Sequence, residues 1–527
     1  MNLHIFKGKY ADNFYLQLGY PFENLSLRII IPPGRDLNIK NNNTTLSPII
    51  NKSANGTIYE WKCTNTDPLH LETKTPGWYD PYPVVFISEY KNWNEVSKWA
   101  TELFPKNIPL SADLKHKINS IKERNATNEA RTLAALKFVQ DDVRYMGIEM
   151  GVNSHKPSNP NKIFNQRFGD CKDKSYLLVT MLNAMGIEAD AILINTREKK
   201  SLNNCLPTAG AFDHVTVQTR LANKLYYFDP TISFQRGSID DISYPDYQAG
   251  LVINDATTGL ASIPHQEKGF VDIKEVIDVK DMLGRATLKV VTKRTGLYAD
   301  ENRDYFNNYS LYEIKNKYKD FYAAYFDNIT ADSLTYNDDD VTGTFTTTEY
   351  YTIKSIWKAE GEKQRISVDA YVINSLMSKP TDQNRKMPFY LSYPTHYKEQ
   401  VEVNMPQDWS ADLFDNSVAC SAFTLHASAG LTGKTIILKY EYETLKDHVL
   451  PEEAPAFFAK YDEARGATAY DVTYKAGEAV SLYDSPSATT SSSGSSSSSS
   501  VFPKLYLLLG ICVLVTILVR SNKKKQA

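Results

Sequence analysis

The chain has 527 residues, which is room for about three domains of ordinary size. Its formal net charge is -3, with 59 Lys and Arg against 62 Asp and Glu, so bulk charge gives no reason to expect a nucleic-acid partner. The five cysteines have no CxxC pair, which excludes a disulfide framework and a zinc site of clustered thiols. They are Cys63, Cys171, Cys205, Cys420 and Cys512. A single Cys63–Cys205 disulfide stays open.

Residues 1–105 predict an antiparallel β domain, because short β-type runs such as NLSLRIIIPPG and YPVVFISEY are broken by Asn, Pro and Gly. The first twenty residues lack the continuous apolar stretch of a signal peptide. Residues 9–18 already read as a strand inside a sheet. We therefore expect the natural start of the protein, with its signal peptide, to lie upstream. A tail-anchored cytoplasmic protein is the alternative.

The sequence pattern changes in residues 106–265, where it predicts helices followed by strands. The run NEARTLAALKFVQDDVRYMGI has Leu133, Leu136, Val139 and Val143 at helical spacing. A loop rich in Pro and Asn follows, and then a second helix in GDCKDKSYLLVTMLNAMG. Its apolar residues form a single stripe, which predicts one core-facing side, and Gly186 is placed to end the helix.

Cys171 is expected in the first turn of this second helix, with Asp170 as the N-cap. Unpaired N–H groups and the helix dipole stabilise a thiolate at that position. Lys172 and Lys174 add local positive charge. A nucleophilic thiol and a buried structural thiol are both consistent with these residues alone.

The segment FDHVTVQTRLANKLYYFDPT predicts a hairpin with its turn near Leu221 and Ala222. Such a turn brings His214 to within a residue or two of Asp229 on the neighbouring strand. A general base and the carboxylate that orients it need this arrangement. The alternatives are a surface histidine and a turn-forming aspartate before Pro230.

The motifs GDCKDKSYLLVTMLNAMGI, FDHVTV and YYFDPT resemble the transglutaminase-like superfamily, which has a papain-like Cys-His-Asp core. More narrowly, they are similar to bacterial membrane-associated members with an N-terminal β domain of unknown function and a C-terminal β domain. The resemblance implies Cys171 as nucleophile, His214 as general base and acid, and Asp229 as the residue that orients His214.

An oxyanion site would take the backbone N–H of Cys171 as one donor. Gln140, in FVQDDVRY, is the candidate for a second donor, with a position on the solvated face of its helix as the alternative. No Trp lies between residues 110 and 235, so the indole donor of some family members is absent from this core. This disfavours protein cross-linking of the animal type.

Residues 266–475 return to β-type runs such as RATLKVVTKRT and KTIILKYEYETL, interrupted by a helix at NRDYFNNYSLYEIKNKYKDFY, and predict a C-terminal β domain. Residues 476–500 predict a Ser-rich linker. Residues 501–520 approach the ~20 apolar residues of a transmembrane helix, with a packing helix as the alternative. The basic residues 521–527 would then form a cytoplasmic tail, with the bulk of the chain on the extracytoplasmic, periplasmic side.

The predicted fold class is therefore α+β, a papain/transglutaminase-like core flanked by antiparallel β-sandwich-type domains, plus one C-terminal transmembrane helix. The predicted function is that of a membrane-anchored thiol acyl-transfer enzyme, a cysteine peptidase or amidase acting on a peptide-like amide at the cell envelope. A protein-glutamine transglutaminase and a non-catalytic peptide-binding envelope protein are the alternatives. The expected partner is a protein or peptide substrate.

No cofactor or metal is expected, since the sequence has neither a phosphate-binding glycine loop nor an HExxH motif. His155 lies in a loop without a partner at metal spacing, and Cys205 is given no role. The acidic run at residues 338–340 is interpreted as a solvated turn. The sequence does not specify the oligomeric state.

Overall fold

The computed structural model describes residues 5–147, 151–266 and 268–475. Three larger hydrophobic cores follow one another along this part of the chain. The first is small and lies between two sheets, the second surrounds the helix that begins at Cys171, and the third lies beneath an eight-stranded sheet. The domain boundaries themselves stay a prediction.

The N-terminal region consists of six strands in two antiparallel sheets. The strands are β1 (Ala11–Tyr15), β2 (Phe22–Ile31), β3 (Asn38–Asn42), β4 (Ile49–Ser53), β5 (Gly56–Thr66) and β6 (Val84–Ser88). One sheet has the order β1-β6-β3 and the other β2-β5-β4. Their apolar faces meet around Trp61, a fully buried side chain of β5.

Trp61→Ala is expected to lower the free energy of unfolding of this region by about 3–5 kcal/mol, because it leaves a cavity in a small core. Hydrogen exchange of the β2 and β5 amides in rising urea measures the effect region by region. Ile30→Ala is the matched control, since Ile30 lies on the same sheet but is 60% exposed. A loss for Trp61→Ala no larger than for Ile30→Ala would contradict this assignment of the core.

The central region places helices on a five-stranded antiparallel sheet of order β11-β10-β9-β12-β13. Its helices are α1 (Trp93–Leu103), α2 (Ala112–Arg124), α3 (Asn128–Asp141), α4 (Pro160–Gln166) and α5 (Cys171–Ala184). Its strands are β7 (Arg144–Tyr145), β8 (Phe168–Gly169), β9 (Ala189–Ile194), β10 (His214–Leu221), β11 (Lys224–Phe228), β12 (Ala249–Val252) and β13 (Ala261–Ser262). Short 3₁₀ turns occur at Gly151–Ser154, Lys199–Asn204 and Ala209–Ala211.

Helix α5 confirms the predicted start and end. Asp170 is the N-cap, and Gly186, just past the helix, has the left-handed φ of +83° that favours glycine. The expected one-sided stripe is wrong, however. Every residue from Cys171 to Leu182 is buried, because the helix lies between the sheet on one side and α3 and α4 on the other.

The C-terminal region is built on an eight-stranded sheet of order β16-β17-β15-β14-β21-β24-β23-β22. The strands of this sheet are β14 (Val271–Val279), β15 (Ala286–Arg294), β16 (Ile329–Asp339), β17 (Thr344–Ile353), β21 (His396–Asn404), β22 (Phe414–Ala419), β23 (Phe423–Thr432) and β24 (Thr435–Thr444). The other strands of the region are β18 (Lys358–Glu360), β19 (Lys363–Asp369), β20 (Phe389–Tyr390), β25 (His448–Val449) and β26 (Ala469–Lys475). Two antiparallel halves of four strands meet at the parallel pair β14/β21. We call this pair the seam.

The region differs from the sandwich that was expected. One face of the large sheet is covered by helices and by the small sheet β18-β19-β26. The helices of the region are α6 (Gly296–Asn308), α7 (Leu311–Tyr322), α8 (Tyr371–Leu376) and α9 (Ala454–Ala467). The single helix expected around residue 310 is two helices, because Ser310 caps α7 in a capping box with Glu313.

The predicted fold class is wrong in its transmembrane element. Among the described residues, no helix combines the length and the apolarity needed to cross a membrane. The segment 501–520, on which that prediction was placed, lies outside the described residues, as do the linker 476–500 and the tail 521–527. The predicted extracytoplasmic location stays a prediction.

Candidate active site

Cys171 is the first residue of α5, and its side chain is a free thiol that is 6% exposed. The helix start is closed by a capping box: the Asp170 carboxylate accepts from the Asp173 N–H at 3.3 Å, and the Asp173 carboxylate accepts from the Asp170 N–H at 3.4 Å. The backbone N–H of Cys171 is one of the groups that have no partner within the helix. The thiol therefore lies where a negative charge on sulfur is stabilised.

His214 and Asp229 are brought together by the hairpin, as expected. His214 is the first residue of β10, and Asp229 follows directly after β11. The turn is at Ala222 and Asn223, both with positive φ, one residue later than predicted. His214 Nε2 lies 2.8 Å from Asp229 Oδ2. The Cys171 thiol also interacts with the His214 ring, so the three predicted residues meet at one place.

The electrostatics of the pair favour charge on both groups. Burial by itself would lower the pKa of His214, but the charge and hydrogen bond of Asp229, together with Cys171, raise this pKa well above its usual value. Burial would raise the pKa of Asp229, but His214 and Thr231 lower it to about 2. Asp229 is therefore ionised at neutral pH, and the imidazole is readily protonated.

Two further residues bind the Asp229 carboxylate, and neither was predicted from the sequence. Oδ1 accepts from the Thr231 N–H at 2.9 Å and from its hydroxyl at 2.6 Å. Oδ2 accepts from the Tyr247 hydroxyl at 2.9 Å, on the same oxygen that binds His214. Thr231 had a local signal, since an aspartate often bonds the backbone two residues on. Tyr247 had none.

Tyr247→Phe is expected to lower the rate of the chemical step about tenfold and to raise the pKa of His214, because the Asp229 charge then acts on the imidazole alone. A pH–rate profile measures both effects, with its upper limb moving to higher pH. Tyr226→Phe is the control, since that hydroxyl contacts the exposed Asp240 at 3.4 Å. An unchanged pH profile in Tyr247→Phe would contradict the prediction.

Gln140 is not the predicted oxyanion donor, nor does it lie on a solvated face. Its side chain is 2% exposed, and Nε2 donates to the Asp229 carbonyl at 3.1 Å and to Gln235 Oε1 at 2.8 Å. Both hydrogens of the amide are therefore used. Gln140 supports the backbone of Asp229 and has no donor left for a substrate.

The two lysines that were expected to add positive charge near Cys171 are both buried. Lys172 Nζ lies 2.5 Å from Asp170 Oδ2, so its charge is matched locally. Lys174 Nζ donates to the carbonyls of Gln140, at 3.2 Å, and Val143, at 2.7 Å, near the end of α3. Burial lowers the pKa of Lys174 to about 8. Lys174 thus fixes α3 against the first turn of α5.

The remaining candidates have structural roles. The acidic run bonds cations of the protein itself: Asp338 pairs with Arg303, and Asp340 pairs with Lys137 and Arg236. His155 packs edge-on against aromatic rings. Cys63 and Cys205 are both free, so the open disulfide is not formed. No group of His, Cys, Asp and Glu side chains suited to a metal ion occurs within residues 5–147, 151–266 and 268–475.

Comparison with known proteins agrees with the predicted resemblance. The family model of the transglutaminase-like superfamily matches residues 115–230, a span that includes Cys171, His214 and Asp229. A search of curated proteins found no match to the sequence. The crystal structure of a candidate protease from Parabacteroides distasonis is similar, with a TM-score of 0.57, 10% sequence identity, and coverage of 88% of this chain and 75% of that chain. This similarity concerns the fold.

Two other crystal structures align over smaller shares. A candidate cysteine protease from Cytophaga hutchinsonii has a TM-score of 0.17 and 12% identity, covering 42% of this chain and 75% of that chain. The periplasmic domain of TgpA from Pseudomonas aeruginosa has a TM-score of 0.19 and 12% identity, covering 41% and 74%. At these TM-scores neither extends the comparison of folds.

Proposed function

Residues 115–230 of this chain belong to the transglutaminase-like superfamily, and from this premise we propose that the protein is a cysteine peptidase or amidase that hydrolyses a peptide-like amide through a Cys171 thioester. One observation supports the proposal above the others. His214 Nε2 lies 2.8 Å from a buried, ionised carboxylate, and the thiol of a helix-start cysteine also interacts with the ring. A purely structural cysteine needs neither neighbour.

In the proposed reaction, Cys171 Sγ attacks the amide carbonyl carbon after its proton has passed to His214. The C–N bond then breaks as His214 gives this proton to the leaving amine. Water, deprotonated by His214, attacks the thioester, releases the carboxylic acid and restores the thiol. Asp229 stays ionised throughout and stabilises the imidazolium. The Cys171 N–H donates to the oxyanion that forms.

The test is a mass-spectrometric assay of the full chain with peptide libraries and an added primary amine. Hydrolysed peptides that are absent with Cys171→Ala are the expected result. Incorporation of the amine in place of water would overturn the hydrolytic assignment in favour of amine transfer. No change relative to Cys171→Ala would overturn the enzyme.

A second measurement does not need the substrate. Iodoacetamide near neutral pH is expected to modify Cys171 in the folded protein, and His214→Ala is expected to abolish this selectivity. Cys205→Ala is the control, because burial raises the pKa of the Cys205 thiol to about 11 and so leaves it protonated. An inert Cys171 would support a structural thiol instead.

A further inference from the structure

A chain of buried hydrogen bonds leads away from the backbone carbonyl of Asp229, whereas His214 binds the side-chain carboxylate. It runs from the Asp229 carbonyl to Gln140, from Gln140 to Gln235, and from Gln235 Nε2 to Asp300 Oδ2 at 3.3 Å. Gln140, Gln235 and Asp300 are each 4% exposed or less. Asp300 belongs to α6, in the region after residue 270, so the chain joins the candidate site to a different part of the fold. We call it the relay.

Acceptors at the two ends of the relay determine which group donates in each of its hydrogen bonds. They are the Asp229 carbonyl at one end and the Ser243 carbonyl and Asp300 carboxylate at the other. Gln235 Nε2 lies between two acceptors, the Ser243 carbonyl at 2.9 Å and the Asp300 carboxylate. The Ser243 carbonyl only accepts, and so does the Asp300 carboxylate in its ionised form, so together they hold the Gln235 nitrogen towards themselves and leave the Gln235 oxygen facing Gln140. Burial raises the pKa of Asp300 to about 7, so the ionised form predominates above neutral pH. Gln140 can then direct its nitrogen at the Asp229 carbonyl. Reversing one amide would place donor against donor at the next step.

The far end of the relay is anchored in the C-terminal region. Asp300 Oδ1 accepts from Arg303 Nη1 at 2.8 Å, and Arg303 Nε donates to Asp338 of β16 at 2.7 Å. Arg236 makes a second connection between the two regions. It forms ion pairs with Asp141 at the end of α3 and with Asp340 just after β16, each at 2.9 Å. The loop that contains Gln235 is thereby held from both sides.

We propose that Asp300, acting through Gln235 and Gln140, is a positioning residue for Asp229, so that the region after residue 270 forms part of the catalytic apparatus. The inference rests on the proposed function in taking Asp229 as the residue that orients His214. Buried amides in a connected network transmit orientation because each has one arrangement that satisfies its neighbours.

The discriminating variant is Asp300→Asn, which keeps the size of the side chain and changes its polarity. If the oxygen of the new amide accepts from Arg303, its nitrogen faces Gln235 Nε2, which the Ser243 carbonyl holds in place, so two donors meet at this step of the relay. Gln235→Glu also breaks the relay, because it puts two carboxylates side by side. The double variant Asp300→Asn/Gln235→Glu moves the carboxylate by one position and again offers Gln140 an acceptor, but the Ser243 carbonyl loses its donor. Asp304→Asn, one turn further along α6, is the control.

Two readouts separate this inference from the proposed function. Titration of the His214 ring by NMR is expected to show its pKa lowered by about one unit in Asp300→Asn, a tenfold change in the protonation equilibrium. The rate of Cys171 alkylation is expected to fall about tenfold. Partial recovery of both effects is expected in the double variant, with no change in Asp304→Asn. A merely structural contact would not move the His214 titration.

An unchanged His214 titration in Asp300→Asn would overturn the relay and leave the proposed function standing. A shifted titration with an inert Cys171 in the unmodified protein would overturn the proposed function and support the relay. Gln140→Met provides the same test if the Asp300 variants do not fold, since it cuts the last step within the central region. In Gln140→Met the pKa of His214 is expected to fall, as in Asp300→Asn. An unchanged pKa of His214 in Gln140→Met would also overturn the relay.

Discussion

Asp229→Asn is expected to lower turnover by about 10³–10⁴-fold, the scale of effect expected when the carboxylate of such a triad is made an amide. The carboxylate accepts from His214, Tyr247 and twice from Thr231, so an amide NH₂ on either side would meet a donor. Without the negative charge, burial would pull the pKa of His214 down. The imidazolium that gives its proton to the leaving amine would then be scarce.

Steady-state kinetics and Cys171 alkylation measure this loss. Asp213→Asn is the matched control, because Asp213 is the residue before His214 but its exposed carboxylate accepts from Thr196 instead. We expect the control to stay within about threefold of the unmodified protein, a small change typical of surface substitutions. Turnover of Asp229→Asn at the level of Asp213→Asn would show that His214 does not need the carboxylate.

The C-terminal region is expected to be more stable against unfolding at pH 5.5 than at pH 8, by about 2 kcal/mol. Glu275 of β14 and Glu399 of β21 are both fully buried on the same face of the seam. Glu399 accepts from the N–H groups of Val372, at 2.9 Å, and Ile373, at 2.8 Å, while Glu275 accepts from the Tyr322 hydroxyl at 2.6 Å.

The sign follows from the burial of the two carboxyls. Burial raises the pKa of Glu399 to about 7, and burial together with the charge of Glu399 raises the pKa of Glu275 well above its usual value. In the unfolded chain both groups titrate near 4.5. Their protonated forms therefore stabilise the fold fully below pH 4.5, and this stabilisation is lost as the pH rises through 7.

Urea unfolding at several pH values, with hydrogen exchange of the β14 and β21 amides, measures the slope of the free energy of unfolding against pH. Glu275→Gln is expected to flatten it and to raise the stability at pH 8, because one buried charge is removed. The control Glu402→Gln lies on the same strand as Glu399 but pairs with Lys274 near the surface, and its slope should match the unmodified protein. An unaltered slope in Glu275→Gln would contradict the assignment to the seam.

The parts of the site that could be predicted depend on short stretches of chain. The start of α5 follows from Asp170 and the residues directly after it, because a capping box is a local interaction. The approach of His214 to Asp229 follows from one tight turn between two alternating strands. The family resemblance covered the same short motifs.

The parts that could not be predicted depend on residues distant in the chain. Gln140 was given two local interpretations, and its actual partner Gln235 lies in a loop with no pattern of its own. Glu275 occupies the apolar row of an alternating strand, where periodicity marks burial but not the partner that makes burial of a carboxyl tolerable. The all-round burial of α5 arises from α3 and α4 packing on its second side.

The seam also has a consequence for the order in which the chain can fold during synthesis. Strands β14 to β17 leave the ribosome first and can pair among themselves, but the free edge of β14 has to wait for β21. Such long-range pairing is slow, and an open strand edge invites association with other chains. We therefore expect chains interrupted between residues 354 and 395 to aggregate, and a chaperone that shields nascent β-strands to raise the yield of folded protein.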